Sequence, residues 1–313
     1  MAKKTMRKQA QARKPAVFPL QSRIGPEGMM ADLSRLMQEQ EFESLDDAQA
    51  FMNRLLDEDG GQLPPSEPQS RTAQAQELAY QAWDSPTDAG AAALARQALA
   101  ISPDCVDAYS ILAETDAKSA EEACDYYRQG VDVGRRSLGE AFFAENAGHF
   151  WGMIETRPYM RACQGLADCL WTMGQEQDSI AHSEALLDLN PSDNQGIRDV
   201  LLSRYLALGS DAGAESLFRQ YKDDWSAAFL WSRVLLDLRQ GDQVAAKADL
   251  KMAMKCNRHV ANFFTGKRNL PAELPTTYSP GNQDEAVLYM ANFAEAWLAS
   301  SDAMEWLIDR LAN

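Results

Sequence analysis

The sequence is short of the residues on which metal proteins and many enzymes are built. Its three histidines, His149, His182 and His259, stand far apart, with no HExxH pair and no EF-hand loop, so no metal site is expected. Five cysteines, Cys105, Cys124, Cys163, Cys169 and Cys256, make an odd number without CxxC spacing. Reduced thiols are expected rather than a disulfide framework, with Cys163 and Cys169 packing as small hydrophobes. A GxxxxGK[ST] phosphate loop, a GxGxxG turn and a GxSxG elbow are all absent, and no nucleophile stands with a base. Neither catalysis nor a cofactor is therefore expected. No run of 18 or more apolar residues occurs, and the opening MAKKTMRKQAQARKP has no apolar core. A membrane span and a secretory leader are thus not expected, and a cytoplasmic location follows by default.

Charge is unevenly spread over the 313 residues. Lys3, Lys4, Arg7, Lys8, Arg13, Lys14 and Arg23 give residues 1–23 a local charge of +7 with no acid among them. Of 30 basic and 46 acidic residues in all, the remainder keeps 23 basic against 46 acidic, a charge of −23. An acidic body argues against a broad phosphate-binding surface. The arm, residues 1–26, has two readings: a contact to RNA, a ribosome surface or an acidic partner, or a solubilising tail that folds back on the acidic body.

What the sequence does contain is a repeat. Ala79, Ala91, Ala95 and Ala98 precede Ser102-Pro103; Leu166, Ala167 and Gly174 precede Asn190-Pro191; Gly241, Ala246, Leu250 and Ala253 precede Asn257. Small residues where helices touch, a turn glycine and a closing Pro at a period of roughly 34 residues read as tetratricopeptide-like helix pairs. The 88 residues from Pro103 to Pro191 exceed two such periods by about 20, which places an insertion at 131–157.

Around the repeat, residues 27–58 hold two amphipathic helices. Met29, Met30, Leu33, Leu36 and Met37 mark the first, and Ser44 caps the second ahead of Ala48, Phe51, Met52, Leu55 and Leu56. Residues 59–70, rich in Gly and Pro, form a linker. The solenoid is expected over 71–270, and capping helices over 271–313, the first starting at Asn282 with Glu285 three residues on. The fold class is thus all-α: a right-handed α-solenoid of about five helix pairs, capped at both ends.

The wording of the insertion and of the stretch C-terminal to it is distinctive. GHFWG, ETRPYMRA, GLADCLW and LNPSDNQGIR, with NLPAELPTTYSPG and AMEWL later, resemble a bacterial tetratricopeptide family related to the suppressor of tumorigenicity 7 proteins, over roughly residues 105–310. The resemblance implies a helical-repeat fold and brings no reaction, substrate or catalytic residue.

Two groups of side chains stand out as binding candidates. With a helix starting at Pro158, Arg157, Arg161 and Gln164 are expected at the groove-lining first helix of a repeat, and about one repeat on Gln195 and Arg198 take the equivalent places. Two guanidiniums in an acidic protein would anchor a carboxylate or phosphate of a partner, unless Asp168, Asp193 or Asp199 pairs with them internally. His149, Phe150 and Trp151 form either an aromatic lip or a plug for the core beside the insertion. Trp225, Trp231, Tyr205, Tyr80 and Trp83 are expected in the core. The function expected is a non-catalytic adaptor that binds a peptide or protein segment in the concave groove; the alternative is an RNA- or ribosome-associated factor anchored by the basic arm. No membrane partner is expected, and the sequence leaves the oligomeric state open.

Overall fold

A computed structural model describes residues 25–38, 40, 42–58 and 70–312. The basic arm, with Lys3, Lys4, Arg7, Lys8, Arg13 and Lys14, and residues 59–69 of the linker lie outside the described residues. Among those described there are sixteen α-helices and two short 3-10 turns, and no β-strand. None of these helices is long and apolar enough to cross a membrane. The chain divides into two compact units between Asn194 and Gln195.

In the N-terminal unit, α1 (Gly25–Gln38) and α2 (Leu45–Glu58) come first, with Ser44 Oγ accepting the Asp47 N–H at the start of α2. Three helix pairs then follow: α3 (Arg71–Trp83) with α4 (Asp88–Ile101), α5 (Val106–Thr115) with α6 (Ala120–Leu138), and α8 (Arg157–Thr172) with α9 (Glu176–Leu189). The starts are set by side chains that satisfy orphan amides: Ser70 accepts from Ala73, Thr87 from Gly90 and Ser119 from Glu122. Ala75, Ala79 and Ala82 on α3 are buried with Ala91, Ala92, Ala95 and Ala98 on α4. Methyl-sized contacts let these two backbones approach closely. Each first helix also packs on the next first helix, α3 on α5 and α5 on α8.

Between α6 and α8 the pairing is interrupted. α6 runs 19 residues to Leu138 and ends at Gly139, whose φ of 81° only glycine adopts without strain. A short α7 (Glu140–Asn146) and 3-10 turns at Phe150–Gly152 and Ile154–Thr156 lead into α8. Phe150 is fully buried against Phe142, Phe143 and Tyr159, with ring centroids 4.9–6.4 Å apart. That aromatic cluster fastens the inserted stretch to the start of α8.

The C-terminal unit holds α10 (Ile197–Ala207), α11 (Asp211–Gln220), α12 (Ala227–Arg239), α13 (Gln243–Cys256), α14 (His259–Phe264), α15 (Gln283–Ala299) and α16 (Ser301–Ala312). α15 packs against α10, α12 and α14, so it is central to this unit rather than only a lid on its end. Trp231, Phe264, Tyr289, Phe293 and Trp297 make the aromatic core, in which Trp297 Nε1 donates to the Tyr289 hydroxyl at 2.7 Å and Trp231 Nε1 to the Asn257 carbonyl at 3.1 Å.

α8, α10 and α12 all stop in the same way. Gly174, Gly209 and Gly241 take positive φ, and the next amide turns back: Gln175 to the Leu170 carbonyl, Ser210 to Tyr205 and Asp242 to Asp237. The spacing is less even than the turns. The helices that open each pair begin at residues 71, 106, 157, 197 and 227, steps of 35, 51, 40 and 30 residues. The long step before α10 comes from the turn after Pro191, where Asp193 and Gly196 adopt φ of 51° and 76° and delay the helix.

Candidate functional site

Arg161 is the fifth residue of α8, and its side chain points inward, only 2% exposed. Its guanidinium is gripped on two sides. Nε and Nη2 donate to the carboxylate of Asp107 on α5 at 2.9 and 2.6 Å, and Nη1 and Nη2 donate to Glu27 on α1 at 3.0 and 2.9 Å. Gln76 of α3 extends the chain of contacts by donating to Asp107 Oδ2 at 2.7 Å. A polar line therefore crosses three successive first helices, from Gln76 to Asp107 to Arg161, and ends on a carboxylate brought from α1.

The electrostatics follow from burial. Removing a guanidinium from water works against its charge, but the Asp107 and Glu27 carboxylates more than offset that and hold Arg161 firmly protonated. Tyr80, beside the same carboxylates, has its phenol pushed well above the ordinary range, first by burial and then by Glu27 and Asp107. It therefore stays neutral. Arg157, at the first position of α8, stands next to this group: its guanidinium lies over the Trp151 ring at 5.1 Å, its Nε donates to the Trp151 carbonyl at 3.0 Å, and Nη1 is 3.5 Å from Glu27. Two arginines thus converge on one carboxylate.

The other sequence candidates are placed differently. Gln164 is buried within α8, and its exposure as a groove residue is not found. Of the three residues read as either a lip or a core plug, Phe150 is interior, Trp151 is half-buried under Arg157, and His149 is exposed. In the C-terminal unit, Gln195 precedes α10, and Arg198 is its second residue, paired with Asp224 at 2.8 Å and stacked over Tyr221 at 5.1 Å. Arg161 and Arg198 therefore occupy different helical positions, because the delayed start of α10 shifts the register. Trp225, expected in the core, is 61% exposed, whereas Trp231 and Tyr205 are buried.

Asp107 and Glu27 escaped the sequence reading. Asp107 carried a signal: it sits among Cys105, Val106, Ala108, Ile111 and Leu112, all buried, where a lone acid requires a buried partner. Glu27 carried none. A second buried acid, Glu285 at the start of α15, accepts three N–H groups, from Ala227 at 3.0 Å, Asn257 Nδ2 at 2.8 Å and Gly281 at 2.7 Å, and a recess beside it is lined by Asp199, Ser226, Tyr278 and Asn292. This joins the ends of α12, α13 and α15.

Burial pushes the Cys105 and Cys163 thiols up to about 12, so neither supplies a thiolate at neutral pH. Among the described residues no cluster of three or more His, Cys, Asp or Glu is disposed to hold a metal ion. No family model matches the chain, and no curated protein matches it.

Proposed function

We propose that this chain is a non-catalytic protein-interaction adaptor, a tetratricopeptide-like α-solenoid that receives a peptide or protein segment on the face made by its first helices. The observation that carries this reading is Glu27: a side chain 134 residues away in sequence is held by both Arg161 and Arg157 on that face. A bidentate guanidinium–carboxylate pair is the chemistry by which such a face recognises an acidic residue. The stacking of first helix on first helix, and the repeated glycine turns after α8, α10 and α12, support the solenoid. The partner is then a segment bearing Glu or Asp.

Site-specific photo-cross-linking tests it. A cross-linker at Arg157 is expected to yield discrete protein adducts in cells, and one at exposed Ala185 on α9 is not. Equal adducts from both, or none from Arg157, remove the assignment. The +7 arm on a −23 body favours a second reading, an RNA- or ribosome-associated factor. Ribosome co-sedimentation at low salt that vanishes when residues 1–14 are deleted would support it, and no co-sedimentation would end it.

A further inference from the structure

α1 is attached to the N-terminal unit in an unusual way for a structural helix. Of its described side chains only Glu27 and Leu36 are buried, while Met29 and Met30 are 61% and 44% exposed. Its most extensive packing is on α3 and the Ile154–Thr156 turn. Apart from the Glu27 grip, the ion pair between Arg35 and Glu77, at 3.1 Å and partly exposed, is its main polar tie to the pairs, and such surface pairs contribute little. Glu27 is thus the buried polar anchor of α1.

The receiving side is built to survive without it. Arg161 spends one edge of its guanidinium on Asp107, so its charge stays compensated when Glu27 leaves. Arg157 keeps its carbonyl and its Trp151 ring. Without Glu27, Arg157 loses the carboxylate that stands 3.5 Å from its guanidinium. A vacated site of this kind calls for another carboxylate. Next to Glu27, Gly28 lies on Tyr80, and a Cβ there would stand 3.4 Å from the ring, in ordinary contact.

We propose that α1 is a resident, exchangeable occupant of the Arg157–Arg161 site, and that the partner is an acidic helical segment that displaces it. This rests on the adaptor reading and adds its regulation. In the resting chain the site is closed by a covalently tethered competitor, whose effective concentration of order mM excludes weak ligands. Only a segment with more contacts than α1 makes would open it.

The test uses full-length chains and a fluorescent peptide of residues 25–38, GPEGMMADLSRLMQ. Glu27→Ala is expected to bind this peptide at least about tenfold tighter than wild type, because the tethered competitor is gone. A peptide with Gln at the Glu27 position should bind the variant about tenfold more weakly than the parent peptide, because the charge-assisted pair is lost. Hydrogen exchange is expected to show residues 25–38 opening in Glu27→Ala while α5 and α8 stay protected; Glu27→Gln, closer in shape, should open them less. Unchanged protection of 25–38, or loss of protection through 71–194 as a whole, would make α1 part of the core and overturn the proposal. Opening without peptide binding overturns the adaptor reading of this face together with it. Equal binding to wild type and variant overturns self-occupancy alone, leaving peptide recognition in place at another surface.

Discussion

Arg161 and Asp107 form a doubly hydrogen-bonded ion pair in the interior of the N-terminal unit, between α8 and α5, across 54 residues of sequence. Each is expensive to bury alone. Arg161→Met leaves Asp107 without its counter-charge and is expected to cost about 3–5 kcal/mol in urea denaturation. Adding Asp107→Leu should recover part of that loss, since an apolar pair of similar volume avoids the desolvation. A single-variant loss below about 1 kcal/mol would mean that water reaches the pair.

Gly165 in α8 is a position where packing and helix propensity oppose each other. Alanine is favoured over glycine in a helix by about 1 kcal/mol, but its Cβ here would lie 2.1 Å from Tyr127 Cε1. The clash wins, and Gly165→Ala is expected to lower stability by about 1–3 kcal/mol net. Pairing it with Tyr127→Leu should return much of the loss. A more stable Gly165→Ala protein, read by thermal melting, would contradict this packing.

Glu285 shows why a conservative change need not be one. All three groups around its carboxylate are donors, so the amide of Glu285→Gln points an N–H at another N–H. Both Gln and Ala are expected to cost about 2–3 kcal/mol, the range for hydrogen bonds to a charged group. If Gln restores wild-type stability, the network is not the one described.

The C-terminal unit should also carry a pH dependence through Asp237. Burial, and then its hydrogen bond with Asp249, push this carboxyl from 3.8 up to about 7, against the pull of Arg233. The folded protein thus holds the proton more tightly than the unfolded chain does. Stability from this group is fully present below 3.8 and is lost as pH rises through about 7. Asp237→Asn keeps the neutral form at every pH. Its melting temperature relative to wild type is expected to climb between about pH 4 and 7 and then level off; parallel curves would exclude the effect.

Helices were readable wherever caps and small residues did the local work. Ser44 and Asn282 cap where the pattern placed them, and Gly174 and Gly241 turn the chain as expected. The polar pairings were not readable. Asp168, Asp193 and Asp199 are the acids near Arg161 and Arg198 in sequence, yet Arg161 is held by carboxylates 54 and 134 residues away. Sequence proximity does not rank partners when helices stack. Trp225 illustrates the same limit, because its spacing along the chain says nothing about whether another element covers the turn that carries it.

By itself the sequence determined the all-helical character of this protein, since caps, glycine turns and alanine stripes act within a few residues of one another. It also set the charge imbalance between arm and body. Only the tertiary structure decided which charges meet: a buried arginine takes the carboxylates that stacked helices bring within 3 Å, and that geometry depends on register, insertion length and the docking of α1. These are properties of packing over a whole unit: Arg161 is the fifth residue of α8 and Arg198 the second of α10, and Arg198 pairs with Asp224.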